Sequence, residues 1–331
     1  MRVLVTGGAG YIGSHAVRAL QRTGHEPVVL DNLSRGFERL VRGYELIRAD
    51  IGDRDAVLRA LRGCDAVMHF AAFAHIAESV ENPRMYYHNN VEKALVLLNA
   101  TLDAGVRQFV FSSTCAVYGI PERIPITEDE HKNPINPYGT TKLVLEADLA
   151  AYSRAYGMRY IALRYFNACG ADEGGECGEL HDPETHLIPN VLRAAVGGPP
   201  LQLFGSDYPT PDGTCIRDYI HVSDLADAHV AALDYLGRGG ESQALNLGTG
   251  RGTSNRDIVA EVERVTGRSV PVQLAPRRPG DAPILLADPR RAEAVLGWKA
   301  KRDLRIAVET AWNWMNCEKA HETAPRAAAA A

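Results

Sequence analysis

Three glycines at a spacing of three, Gly7, Gly10 and Gly13, constrain this 331-residue chain more than any other feature. They follow a short apolar run, Arg2–Thr6. They precede helical spacing over Tyr11–Thr23, with Ile12, Ala16, Ala19 and Leu20 on one side. In a strand–turn–helix setting the early glycines let the backbone turn and approach a pyrophosphate, and the last lets the helix pack on the strand. The helix N-terminus adds free N–H groups and a positive dipole end. Asp31 closes the next apolar run, Pro27–Leu30. An acid about 20 residues beyond such glycines grips the adenosine ribose hydroxyls and repels a 2′-phosphate. The pattern predicts a dinucleotide site that prefers NAD to NADP. Gly248–Gly252, by contrast, lacks the Gly-Lys-Ser/Thr ending of a phosphate loop and predicts a turn after a strand.

Further apolar runs at Glu45–Ala49, Ala66–Ala71, Gln108–Ser113 and Arg159–Tyr165 alternate with helical spacing at Asp55–Leu61, Val91–Ala104 and Asn136–Tyr156. That alternation predicts right-handed parallel crossovers, hence an α/β, doubly wound parallel sheet covered on both faces. The rhythm breaks after Asn167. Gly170–Pro183 reads as a loop, followed by helices at His186–Gly197, Val222–Leu236, Ser254–Thr266 and Ile306–Met315 and a strand at Ala244–Leu247. We expect a Rossmann-type dinucleotide domain over 1–166, to which some later segments return. A smaller mixed α/β substrate domain over 167–316 and a frayed tail over 317–331 complete the expectation.

Composition excludes several classes. Lys and Arg number 36 against 41 Asp and Glu, a formal charge of −5, which disfavours a general nucleic-acid binder. No apolar stretch reaches the ~20 residues of a membrane helix. Six scattered cysteines form no Cys-x-x-Cys and suggest a reduced, cytoplasmic setting.

Tyr138 and Lys142 stand i, i+4 at the start of the Asn136–Tyr156 helix and share one face. An ammonium beside a phenol favours the phenolate, so Tyr138 is expected to act as an acid or base near neutral pH. Thr114 lies at the end of the Gln108–Ser113 strand, the carboxyl edge where ligands bind in such sheets. It is placed to donate to a substrate oxygen. Glycines, acid, Tyr, Lys and Thr together describe a nicotinamide-dependent hydride-transfer site.

At this point the chain resembles the extended short-chain dehydrogenase/reductase superfamily. Within it, the chain is similar to the UDP-glucose (UDP-galactose) 4-epimerase family over roughly residues 1–316. The matching stretches are Gly7–His15, Asp31–Gly36, Phe111–Gly119, Tyr138–Lys142, Leu163–Asn167, Arg217–Leu225 and Arg277–Asp281. The resemblance implies an isomerase that passes through a transient 4-keto sugar, with Tyr138 as base, Lys142 on the nicotinamide ribose and Thr114 on the sugar 4-hydroxyl. It implies an NAD site formed by Gly7, Gly10, Tyr11, Ile12, Gly13, Asp31, Asn32, Ser34, Arg35, Gly36, Asp50, Ile51, Phe70, Ala71, Ala72, Phe73, Asn89, Tyr138, Lys142 and Phe166. The UDP-sugar would meet Thr114, Tyr138, Asn167, Leu187, Phe204, Arg217, Tyr219, Arg278, Asp281 and Leu285. A homodimer is implied as well, with no nucleic-acid or membrane partner.

Two departures from the family pattern matter. Ala74 stands where many members carry a Lys in the cofactor loop. Leu285 stands where many carry a Tyr and some a small residue that admits N-acetylhexosamines. No metal is expected. Pro183 argues against a helix presenting the side chains of the run His181–His186 together, so His186 is expected to face the uracil or cap its helix. Alternatives are a 4-epimerase of another UDP-sugar, a sugar-nucleotide dehydratase, or a non-catalytic NAD-binding protein. Dehydratases place an Asp-Glu pair after the Thr, where this chain has Cys115-Ala116. Non-catalytic relatives lose the Tyr or the Lys, and both are present.

Overall fold

The computed structural model describes residues 1–278 and 281–323, with side chains described through Cys317. The first half of the chain runs β1 (Arg2–Thr6), α1 (Tyr11–Arg22), β2 (Glu26–Asp31), β3 (Glu45–Arg48), α2 (Arg54–Ala60), β4 (Ala66–His69), α3 (Ile76–Glu81), α4 (Pro83–Tyr87), α5 (Lys93–Asp103), β5 (Gln108–Thr114), α6 (Pro137–Tyr156) and β6 (Arg159–Tyr165). The second half runs β7 (Asn167–Cys169), α7 (Leu187–Ala195), β8 (Leu201–Phe204), β9 (Ile216–His221), α8 (Val222–Gly237), β10 (Gln243–Leu247), β11 (Gly252–Ser254), α9 (Asn255–Thr266), β12 (Val272–Ala275), β13 (Ile284–Leu285), α10 (Arg290–Leu296) and α11 (Leu304–Thr323).

Seven strands form one parallel sheet in the order β10-β6-β5-β4-β1-β2-β3. The inner strands are continuous apolar runs because both faces are covered. Val3 and Val5 of β1 pack with Val17, Leu20 and Leu233 on one face. Leu4, between them, packs with Val57, Leu97 and Leu145 on the other. The order reverses between β1 and β4, and the carboxyl ends of the strands at such a switch point are where these sheets bind ligands.

The expected α/β doubly wound sheet is present, and later chain does return to it: β10 pairs with β6 through Leu247 opposite Tyr165. Three features differ from the expectation. Residues 76–92, which the alternation leaves without an assignment as far as Asn90, form α3, α4 and a π-helical turn, His88–Glu92. Asn82 starts α4 by accepting the Met85 N–H, with Pro83 in the first turn. The short strands β8, β9, β12 and β13 were invisible as periodicity, because two to six residues are too few and their partners lie far away in sequence. β9 gathers β11, β13 and β7, and β8 pairs with β12. Helix α11 continues to Thr323, through the start of the expected tail. Residues 324–331, including Ala327–Ala331, lie outside the described residues. Among the described residues no helix is long and apolar enough to cross a membrane.

Candidate active site

The glycine loop builds the floor of the site at this switch point. Gly7 has φ +71°, and a Cβ there would stand 2.4 Å from the Ala71 nitrogen in the loop after β4. A Cβ on Gly13 would stand 2.2 Å from the Gly7 carbonyl oxygen. Gly10 begins α1 without a side-chain cap, so the first N–H groups of the helix stay available to an anion. Asp31, only 7% exposed, accepts N–H bonds from Ala9 at 3.0 Å and Leu33 at 2.8 Å. Burial pushes its carboxyl up, and those two bonds pull it back down. Each oxygen retains a lone pair for a ribose hydroxyl.

The remaining cofactor candidates cluster around this floor. Asn32 accepts from the Ser34 N–H and donates to Asp50, which pairs with Lys93 at 2.6 Å. Arg35 bonds Glu78 at 2.6 Å and stands 5.2 Å over Phe73, while Gly36 lies against Ala9 and Asp31. Ala74 adds no charge here. Phe70, Ala71, Ala72 and Phe73 run on from β4. The Asn90 amide accepts the Phe73 N–H and donates to its C=O, both at 2.9 Å, and Asn89 donates to Asn90 at 3.0 Å. Ile51 is buried and Ile12 packs on the core. Tyr11 donates its hydroxyl to the Gly170 carbonyl at 2.6 Å, tying the glycine loop to the second half of the chain. Phe166 sits apart, with Cys115 and Leu285. A glycine cradle, free helix N–H groups and a ribose-facing acid in one crevice fit an NAD molecule.

The Asp31→Ala variant is expected to weaken NAD about tenfold or more, since a hydrogen bond to a charged group is worth about 1.5–3 kcal/mol. Its preference for NAD over NADP should narrow. Equilibrium titration of both cofactors checks this, and unchanged affinities would contradict the placement.

The catalytic candidates meet where α6 starts over the end of β5. Asn136 caps α6 by accepting the Gly139 N–H at 2.8 Å, which fixes the first turn and with it Tyr138. Thr114 hydrogen-bonds the Tyr138 phenol and accepts the Ala116 N–H at 3.2 Å. Lys142, 4% exposed, donates to the Ser112 carbonyl at 2.7 Å. Its nitrogen lies 5.9 Å from the Tyr138 ring centre. The expectation that Lys142 lowers the Tyr138 pKa is not met in the protein by itself. Burial pushes the Tyr138 phenol up to about 12 despite the Thr114 bond, and burial pushes Lys142 down to about 7. A buried site resists charge on either group, and the ammonium directs its proton to a carbonyl.

Sequence reasoning missed what holds this turn. One helical turn beyond Lys142, Glu146 forms a buried two-point ion pair with Arg164 of β6 and accepts from Ser113 at 2.5 Å. Arg164 also donates to Tyr118 at 2.9 Å, and Tyr118 donates to Asn246 of β10 at 2.7 Å. The available signal was Glu146 at i+4 from Lys142. The glycines at 248–252 turn around Asp218, which accepts the Thr249 and Gly250 N–H groups at 2.8 and 3.0 Å.

The substrate candidates fall into three places. Asn167 and Tyr219 are register neighbours on β7 and β9, and with Leu187 they line a cavity. Arg217 donates to the Ala282 carbonyl at 2.8 Å and lies 3.6 Å from Asp281. It is in register with Leu285, which packs against Cys115 and Phe166, directly after Thr114. Arg278 stands 3.8 Å over the Phe204 ring, beyond the β8–β12 pair. Pro279 and Gly280 of the Arg277–Asp281 stretch lie outside the described residues. Of the two expectations for His186, a contact with uracil or a helix cap, the second needs correction. Its side chain does not cap α7 but bonds Glu179, and both residues line the cavity with Asn167. Pro183 does not keep the possible metal donors apart either. The segment is a loop rather than a helix, and it folds Glu179, His181, Glu184 and His186 toward one point.

Comparison with known proteins gives the family of the chain. A model of the NAD dependent epimerase/dehydratase family matches residues 3–248. The chain is 51% identical over 316 residues to a UDP-glucose 4-epimerase of Rhizobium meliloti (strain 1021), covering 94% of this chain and 96% of that one. A crystal structure of UDP-glucose 4-epimerase from Brucella ovis in complex with NAD superposes with a TM-score of 0.92 at 53% identity, covering 94% and 97% of the two chains. One from Stenotrophomonas maltophila, with bound NAD and formylated UDP-arabinopyranose, gives 0.94 at 42% identity, covering 97% and 99%. The chain therefore belongs to the NAD dependent epimerase/dehydratase family.

Proposed function

We propose that this chain interconverts UDP-glucose and UDP-galactose by inverting C4 of the sugar, using one NAD. The observation that carries the reading is the Thr114–Tyr138–Lys142 constellation at the mouth of a crevice that fits NAD. NAD, when bound, supplies the acceptor that takes the C4 hydride and gives it back to the opposite face. Tyr138 takes the 4-hydroxyl proton and later returns one to the 4-keto sugar. Thr114 orients the 4-oxygen beside the phenol. Lys142 holds the nicotinamide ribose. Arg217 and Arg278 match the diphosphate oxygens in charge and shape.

Residues 1–166, with β10 returned to the sheet, form the NAD-binding part in this reading, and 167–316 form the UDP-sugar part. The sequence resemblance supports a homodimer, which light scattering would test. The six free thiols suit a reduced cytoplasm. The deciding experiment offers UDP-galactose, UDP-N-acetylgalactosamine and UDP-glucuronate in turn, without added NADH, and scores the 4-epimer of each. UDP-galactose should be turned over best, and failure with it would sink the reading.

Leu285 is expected to set how much bulk fits beside the sugar. Leu285→Tyr should lower kcat/KM for UDP-N-acetylgalactosamine relative to UDP-galactose by roughly tenfold or more, through steric exclusion. Leu285→Ala should shift the ratio the other way. Parallel loss of both activities together with thermal stability would make Leu285 a packing residue only.

A further inference from the structure

We propose that Glu179, His181, Glu184 and His186 form a closed four-ligand site for a divalent transition metal of the Zn2+ class. The four donor atoms lie within 4.8 Å of one another. His181 Nδ1 stands 3.0 Å from Glu179 Oε1 and 3.7 Å from Glu184 Oε1. His186 Nδ1 stands 3.6 Å from Glu184 Oε1 and contacts Glu179 Oε1 closely. Donors about 2.0–2.1 Å from a tetrahedral Zn2+ are about 3.3 Å from one another, the middle of this spread.

Direct hydrogen bonds account for part of the arrangement, since Glu179 bonds both rings and Glu184 accepts the Thr185 and His186 N–H groups at 2.8 Å. Both histidines aim the same ring nitrogen at one oxygen of Glu179, with ring centres 5.0 Å apart. The Glu184 oxygen facing the rings is too far from either for a hydrogen bond, so its two backbone N–H bonds leave both imidazoles without a partner on that side. Four donors directed at a common point suit one central cation. Charge supports the same conclusion. The Glu179 and Glu184 side chains are 7% and 2% exposed, and among the described residues no Lys or Arg pairs with either. Two buried carboxylates need compensation, and a dication with two neutral imidazoles balances them.

The donor set selects the metal. Two imidazoles with two carboxylates suit Zn2+, whereas Ca2+ and Mg2+ take all-oxygen shells. Four protein ligands leave no open position, so the role is structural rather than catalytic. The ring of Tyr11 packs edge-on against His181 at 6.2 Å, and that of His75 at 6.0 Å. Glu179 and His186 also line the cavity with Asn167, Leu187 and Tyr219. A metal here would pin the segment before α7 between the glycine-loop helix and the nucleotide-sugar cavity.

The test uses the full chain without a polyhistidine tag, purified without chelator, with metal measured by inductively coupled plasma mass spectrometry. About one zinc per chain is expected. After chelator stripping, Co2+ should give visible d–d bands of four-coordinate intensity without thiolate charge-transfer bands. Glu184→Gln and His186→Asn should each weaken zinc by more than about 100-fold, since even residues behind the ligands cost 10–100-fold when changed. Zinc should raise the melting temperature of the parent chain and not that of the variants. Substoichiometric zinc after repletion, a cobalt–thiolate band, or unchanged affinity in both variants would overturn the proposal. If a variant fails to fold, the stoichiometry and cobalt spectrum of the parent chain decide alone. These readouts follow metal rather than turnover, so their outcome is independent of the sugar-nucleotide reading.

Discussion

Tyr138→Phe is expected to fold, keep NAD and lose about 10²–10⁴-fold in kcat, the typical share of a positioned acid–base group. The substitution removes one hydroxyl from a half-buried ring whose position is set by the Asn136 cap and the start of α6. That oxygen faces Thr114. The ring and its distance from Lys142 should persist, so loss should fall on turnover rather than on cofactor affinity. Single-turnover reduction of bound NAD by UDP-galactose separates the two: the variant should bind both ligands and transfer hydride slowly. Activity within a few-fold of the parent enzyme would remove Tyr138 from the proton path. The high phenol pKa of the protein alone has a further consequence. At neutral pH Tyr138 is protonated unless ligand binding brings positive charge beside it, so proton uptake by the phenolate depends on the assembled complex rather than on Lys142 by itself.

Glu146→Ala is expected to destabilise the fold by about 3–5 kcal/mol, the cost of leaving one member of a buried ion pair alone. Arg164 would then be a nearly buried guanidinium (4% side-chain exposure) with Tyr118 and the Glu128 carbonyl as its remaining partners. The Ser113 hydroxyl would also lose its acceptor. Denaturant unfolding measures the change. The double variant Glu146→Leu/Arg164→Met should recover much of it, because two apolar side chains leave no unpaired charge. A single-variant loss under 1 kcal/mol would show that the pair contributes little to holding α6 on the sheet. The pair spans Lys142's helix and β6, so residual activity of the folded single variant reports how far α6 must be fixed for catalysis.

The doubly wound sheet, the NAD crevice and the Tyr–Lys face were legible in the sequence for a common reason. Each is encoded by near neighbours: apolar runs of strand length, glycines three apart before a helix, an acid at the next strand end, side chains at i, i+4. The short strands around β9 were not legible, since β13 brings Leu285 beside Arg217 across 67 intervening positions without any periodic signal. Nor was the sign of the Tyr138 shift. Spacing implies an ammonium nearby, but only packing shows that burial raises the phenol and that the ammonium turns to Ser112.

The contrast is sharpest at Glu179–His186. These four donors lie within eight consecutive positions, yet their spacing does not say whether they converge. A helix interrupted by Pro183 would separate them, whereas the loop that forms folds them to one point. The sequence by itself determined the elements whose hydrogen bonds and periodicity are local, and with them the cofactor crevice and the catalytic face. Tertiary structure alone decided the Glu146–Arg164 pair, the place of Leu285 beside Arg217 and the His–Glu cluster. Their partners meet through the path of the chain in space, where burial strengthens every charge and no local pattern records it.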